Sequence, residues 1–204
     1  MITLYHVKGA RSARSLWLLN ELGLDYELVE MPFTMEALRT PEYLAVSPLG
    51  RVPALVDGDL TLFESGAICQ YLCERYDDGT LFRGPEDPER AEWLQWLHYA
   101  ETVAVHGAAL VQQRVFIPEE KRSEIVIKLE SKRLEKALEV LDKHLHGREY
   151  LLGSGFSAID TGVCYSVHLA KEVHQIQGLD RVDAYYQRCA ARSAFQKSVT
   201  NAGV

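Results

Sequence analysis

The sequence predicts an α/β domain of order βαβ, connector, ββα, followed by an all-α domain. Three observations carry this prediction. Apolar periodicity changes from strand to helix and back to strand within the first 33 residues. Two short β-rich runs then flank Asp57-Gly58-Asp59, a hairpin signal. Finally, the run "DDGTLFRGPEDPER" at 77–90, rich in Gly, Pro and acids, breaks the pattern, and everything after it has helical period. The domains are set at residues 1–77 and 89–204, with a linker at 78–88.

"ITLYHV" alternates and is β-rich. "ARSARSLWLLNELG" is helical and stops at Gly23, and "DYELVEMPF" returns to strand. A polar, Pro-containing stretch at 34–49 reads as a connector. "VPALVDG" and "LTLFES" form the hairpin, and "SGAICQYLCERY" is an amphipathic helix. Beyond the linker, helices are expected around Glu89–Gln113, around Glu124–His146, from Ser157, and around Val182–Ser193. The second of these carries Leu129, Leu134, Leu138, Leu141 and Leu145 on its apolar side. "FSAIDTGV" has the pattern of a capping box, with Ser157 and Asp160 satisfying each other's backbone N–H groups at a helix start.

With 204 residues, 47% hydrophobic and 25% charged, the chain reads as an ordinary soluble globular protein. It buries a sizeable core without disulfides or a structural metal. The four cysteines lie in apolar helical patterns; Cys69 and Cys73, at i and i+4, read as core packing, since no second Cys/His pair follows at zinc spacing. A net charge of −7 spread over both halves leaves no basic lobe, which argues against nucleic acid. No apolar run reaches membrane length and the N-terminus has no signal-like pattern, so the expected compartment is the cytoplasm.

Two local features suggest a binding site. Pro53 opens a strand but cannot donate to its ladder. A cis bond before it would turn the Val52 backbone outward to pair with an extended peptide, and a plain strand-opening proline is an equally weighted reading. Glu64–Ser65 stands where a strand meets a helix. Ser65 at that helix start is a simple N-cap, an anion donor, or both.

"SPLGRVPALVDGDLTLFESGAICQYL", with the βαβ start, the linker near residue 80 and "FSAID", resembles the cytosolic glutathione S-transferases over essentially the whole chain. The resemblance implies a thioredoxin-like N-terminal domain with a mixed sheet, holding glutathione as co-substrate without a metal. It also implies an all-helical domain with a hydrophobic second-substrate site, and a homodimer. By position, Val52 beside cis-Pro53 would pair with the cysteinyl backbone. Glu64 would accept from the γ-glutamyl ammonium and Ser65 would donate to its carboxylate. Arg11, Arg39 and Arg51 are candidates for the glycyl carboxylate. The implied activity is detoxification: ionising the glutathione thiol and adding it to a small hydrophobic electrophile.

A thiol with a pKa of about 8.5 needs help to ionise at neutral pH. In the serine-type, bacterial-like classes the active serine falls near Ser12, the first candidate; Tyr5, near the end of strand one, is the second. Ala10 departs from relatives that carry a serine there. No cysteine lies in the 8–14 window, against the cysteine-type classes, and the "SSCS" of zeta-type isomerases is missing. Tyr99, Val103, His106 and Val111 are acceptor-pocket candidates, with core packing as the simpler reading. The alternatives are a glutathione-dependent peroxidase or isomerase on the same site, and a non-catalytic glutathione-binding interaction module, which Ala10 motivates.

Overall fold

A computed structural model describes residues 1–199. The chain divides into two compact units, Met1–Gly84 together with the chain from Ala191 on, and Pro85–Ala190.

The first unit runs β1 (Ile2–His6), α1 (Ser12–Glu21), β2 (Tyr26–Glu30), α2 (Met35–Leu38), α3 (Pro41–Val46), β3 (Ala54–Asp57), β4 (Leu60–Phe63) and α4 (Ser65–Tyr76). Its sheet is mixed, in the order β2-β1-β3-β4, with β1 parallel to β2 and antiparallel to β3. This is the thioredoxin-like arrangement. The register pairs Tyr5 with Ala54 and Ala54 with Phe63. The end of β1, the start of β3 and the end of β4 therefore meet at one end of the sheet, and the loops leaving them are neighbours.

The core of this unit is built from the faces that the periodicity marks as apolar. Leu4 of β1, Leu55 of β3, Trp17 and Leu18 of α1, and Ile68 and Leu72 of α4 are fully buried. Each contributes about 2 kcal/mol through removal of apolar surface from water. The expected connector at 34–49 is not irregular throughout, because it holds α2 and α3. Thr34 and Thr40 cap these helices by accepting from Ala37 N and Tyr43 N, and Pro41 occupies the first turn of α3, where its missing N–H costs nothing.

The second unit holds α5 (Arg90–Val111), continued by a π turn over Gln112–Phe116, then α6 (Glu124–His144), α7 (Ala158–Val173) and α8 (Asp180–Ala190). Helices α5 and α7 approach closely at Gly162, where an added Cβ would stand 3.2 Å from the Ala100 Cβ. Ser166 Oγ bridges the pair by donating to Ala100 O at 3.1 Å. Leu134, Leu138 and Leu141 of α6 are fully buried and Leu145, just beyond it, nearly so, but Leu129 is 48% exposed, so the apolar stripe begins a turn later than the sequence suggests. All four cysteines are buried.

The C-terminal α9 (Ser193–Ser198) was not anticipated as a separate helix. It packs on α1, with Phe195 edge-on to Trp17 at 4.9 Å. Arg192 donates to both carboxylate oxygens of Glu21 at 2.6 and 2.7 Å, and Trp17 Nε1 donates to the same carboxylate at 2.8 Å. The sequence reading kept this segment with the helical domain, but its contacts join it to the first unit.

Candidate functional site

Three loops leave the shared end of the sheet, and each carries sequence-derived candidates. The loop before β3 is held from behind by α3. Arg51 O accepts from Tyr43 Oη at 2.7 Å and from Ser47 Oγ at 2.7 Å, and Arg51 N donates back to Ser47 Oγ at 3.2 Å. Both hydroxyls belong to buried residues, and burial pushes the Tyr43 phenol up, keeping it a donor. Gly50, at φ +59°, makes the tight turn; a Cβ there would stand 2.4 Å from Leu38 O.

The clamp has a geometric consequence. In a trans peptide the C=O and the following N–H point in opposite directions. Two donors on Arg51 O therefore aim the Val52 N–H away from α3. The Val52–Pro53 bond is cis.

The loop after β4 is a single strained residue. Glu64 sits at φ 74°, ψ 114°, the one non-glycine at positive φ among the described residues. A long side chain there costs about 1–3 kcal/mol and persists only where the surroundings impose it. The turn leaves Glu64 exposed and delivers Ser65 as the first residue of α4, whose start has no side-chain cap. Ser65 is thus not the N-cap. Its Oγ, in a residue 8% exposed, accepts from Arg14 Nη1 at 3.0 Å. Sequence reasoning passed over Arg14, although a cation between Ala13 and Trp17 on the apolar side of an amphipathic helix was a visible anomaly.

The loop after β1 carries the first catalytic candidate. Ser12 is fully buried. Its Oγ accepts from Val7 N at 3.1 Å, lies 2.8 Å from His6 Nδ1 and 3.3 Å from Val7 O. A hydroxyl has one hydrogen to give, and Val7 O and, in the tautomer that leaves it unprotonated, His6 Nδ1 stand within reach of it inside the protein. Burial lowers the His6 pKa, so the ring facing Ser12 is the neutral imidazole. Tyr5 is half-buried, 5.4 Å from the Tyr43 ring, and packs in one cluster with Ala10 and Val52. Arg11 is half-buried at the N-cap position of α1.

Residues 1–74 match the family described as "Glutathione S-transferase, N-terminal domain", and residues 110–197 match "Glutathione S-transferase, C-terminal domain". The chain belongs to the glutathione S-transferase family. It is 33% identical to Glutathione S-transferase F10 of Arabidopsis thaliana, over 97% of this chain and 95% of that one. It is 30% identical to Glutathione S-transferase GstA of Escherichia coli O157:H7, over 98% of both. Among solved structures it resembles the theta class glutathione S-transferase of Xanthomonas axonopodis pv. citri with glutathione bound, at TM-score 0.89, 28% identity, and 98% and 97% coverage. It also resembles the glutathione transferase URE2P6 of Phanerochaete chrysosporium in complex with oxidized glutathione, at TM-score 0.88, 27% identity, and 97% and 94% coverage.

The remaining candidates of this family member separate clearly. Arg39 and Arg51 are exposed, and Arg39 borders the clamped loop, its Cγ 3.5 Å from where a Cβ on Gly50 would stand. Three of the acceptor-pocket candidates on α5 make contacts within the helical unit. Val103 is fully buried, Tyr99 Oη donates to Ala137 O at 3.0 Å, and His106 Nδ1 lies 2.7 Å from Glu130 Oε2, fastening α5 to α6. A cleft of about 400 Å³ in the helical unit, bordered by Glu135, Glu139, His174 and Gln177, holds none of the candidates. Among the described residues, no three His, Cys, Asp or Glu side chains are grouped to hold a metal ion, and no helix is long and apolar enough to cross a membrane.

Proposed function

We propose that the protein is a glutathione transferase that ionises the tripeptide thiol and joins it to a small hydrophobic electrophile. The observation that carries this reading is the register of β1, β3 and β4, which brings the aimed Val52 peptide, the strained Glu64 and the start of α4 to one sheet end. Extended peptide backbone pairs with Val52 as an added strand. The γ-glutamyl carboxylate meets Ser65 and the positive end of α4, and the ammonium meets the Glu64 carboxylate. Arg39, at the clamped loop, is assigned to the glycyl carboxylate, with Arg51 beside it. The electrophile's site is assigned to the helical domain. Exposed Ile125 and Leu129 on α6 and Val105 on α5 support pairing with a second copy. The cytoplasm, where glutathione is kept reduced, is the compartment this chemistry needs.

With the Ser12 hydroxyl engaged inside the protein, the thiolate is assigned to the start of α1, where the Arg11 guanidinium and the helix dipole favour negative charge. Tyr5 is the second donor candidate. Reduction of a hydroperoxide at the same site, consuming two glutathiones and yielding an alcohol, water and the disulfide, is a second reading. The oxidized glutathione held by the Phanerochaete neighbour favours it.

The deciding assay supplies glutathione with a chloronitrobenzene acceptor or with a hydroperoxide. Turnover of the acceptor supports conjugation, and turnover of the hydroperoxide alone moves the assignment to peroxidase. Tight glutathione binding without either turnover makes the chain a binding module. Two variants test the site itself. Glu64→Ala is expected to weaken glutathione by at least about tenfold, because the ammonium loses its acceptor; unchanged calorimetric affinity in a folded variant removes Glu64 from the site. Tyr43→Phe is expected to cost about 1 kcal/mol of stability and to weaken glutathione several-fold, since one of the two donors that aim Val52 is gone. An unchanged dissociation constant would show that Ser47 suffices to hold the peptide.

A further inference from the structure

Arg14 sits in the first turn of α1 and is 4% exposed, flanked by fully buried Ala13 and Trp17. Its Nη1 donates to Ser65 Oγ, 51 residues away, at 3.0 Å. Burying a guanidinium is expensive, and an apolar side chain of similar size would join α1 to α4 more cheaply. The chemistry of the pair suggests what the charge is for. A guanidinium only donates and does not lose its proton in proteins. Ser65 Oγ must therefore accept on the Arg14 side, which leaves its single hydrogen to be directed elsewhere. A hydroxyl that accepts from a cation is also a stronger donor, because the two hydrogen bonds polarise each other.

We propose that Arg14 is a positioning residue: by donating to Ser65 Oγ from behind, it commits that hydroxyl to act as a donor to a ligand carboxylate at the start of α4. The inference rests on the glutathione reading and adds a buried residue that does not itself touch the ligand. It gives α1 a second task besides packing, since one turn of this helix carries both the Arg11 end and the group that orders the γ-glutamyl site.

The test is a double-mutant cycle of Arg14→Met and Ser65→Ala, read by calorimetry with two ligands. One is glutathione. The other is its analogue in which 4-aminobutyrate replaces the γ-glutamyl residue, so that only the α-carboxylate is missing. Each single variant is expected to weaken glutathione by about tenfold, as loss of a charge-assisted donor does. The double variant should be no weaker than the singles, and all three should bind the analogue within about twofold of the parent. Arg14→Lys should recover part of the affinity, and it replaces Arg14→Met in the cycle if the latter does not fold. Equal losses for both ligands would make Arg14 a structural tie and overturn the proposal, as would losses that add. Parental glutathione affinity in Arg14→Met overturns this inference alone. A parent with no affinity for glutathione overturns the glutathione reading and this inference with it.

Discussion

Asp160→Ala is expected to lower stability by about 3–5 kcal/mol, the range for removing one partner from a buried charged network. Asp160 is fully buried in α7. Its Oδ2 accepts from Ser157 N at 2.8 Å and Ser157 Oγ at 3.3 Å, and its Oδ1 from Leu151 N at 3.3 Å and Tyr185 Oη at 3.0 Å. The capping box read from the sequence alone implies a loss of about 1 kcal/mol. The larger figure follows because truncation also orphans the Leu151 N–H and the Tyr185 hydroxyl, and unsatisfied buried donors are costly. Burial pushes the Asp160 carboxyl up to about 6, with the Ser157 and Leu151 N–H groups pulling the other way, so at neutral pH the donors face a carboxylate. Urea unfolding with an unchanged m-value and a shifted midpoint is the measurement. A loss near 1 kcal/mol would mean that the cap alone matters and that water reaches the other donors. Glutathione affinity in the surviving folded protein should be parental.

The second large effect concerns thiol ionisation. Arg11→Ala is expected to raise the pKa of bound glutathione and to lower turnover by about tenfold to a thousandfold, with affinity nearly unchanged, as loss of a positioned anion stabiliser does. The deficit should shrink as pH rises, because the thiol then ionises unaided. Ser12→Ala should behave differently. It removes the acceptor of Val7 N–H and the partner of His6, so it should cost about 1–3 kcal/mol of stability and leave the thiol pKa in place. Ultraviolet titration of the thiolate in both variants, with Tyr5→Phe as a third arm, separates the candidates. A Ser12 variant with normal stability and a raised thiol pKa would restore the serine-type assignment. A collapse confined to Tyr5→Phe would make this a tyrosine-type enzyme.

Much of the architecture is legible in the sequence because it depends on neighbours within a few residues. Strand and helix periods, the Asp57-Gly58-Asp59 hairpin, the Ser157–Asp160 capping box and the burial of Cys69 and Cys73 all express short-range hydrogen bonding or one-sided apolar patterning. Even the two short helices at 34–49 carried their signals, Thr34 and Thr40–Pro41, which the polar composition of the stretch masked. The motifs around Val52 and Glu64–Ser65 were likewise visible as residue types.

Tertiary structure decided where each polar hydrogen goes. A serine at a helix start has the chemistry of an anion donor, but the Ser12 hydroxyl lies among His6 Nδ1, Val7 N and Val7 O inside the protein. Ser65 Oγ accepts from Arg14, 51 residues away, and the peptide before Val52 is held by Tyr43 of α3 and by Ser47 just beyond that helix. The same holds for α9, whose attachment through Arg192 and Phe195 to α1 spans nearly the whole chain. A hydrogen bond is directional and short-ranged in space but indifferent to separation along the chain. The sequence by itself therefore determined which donors and acceptors this protein owns, and only the packed fold determined which of them face a ligand and which face one another.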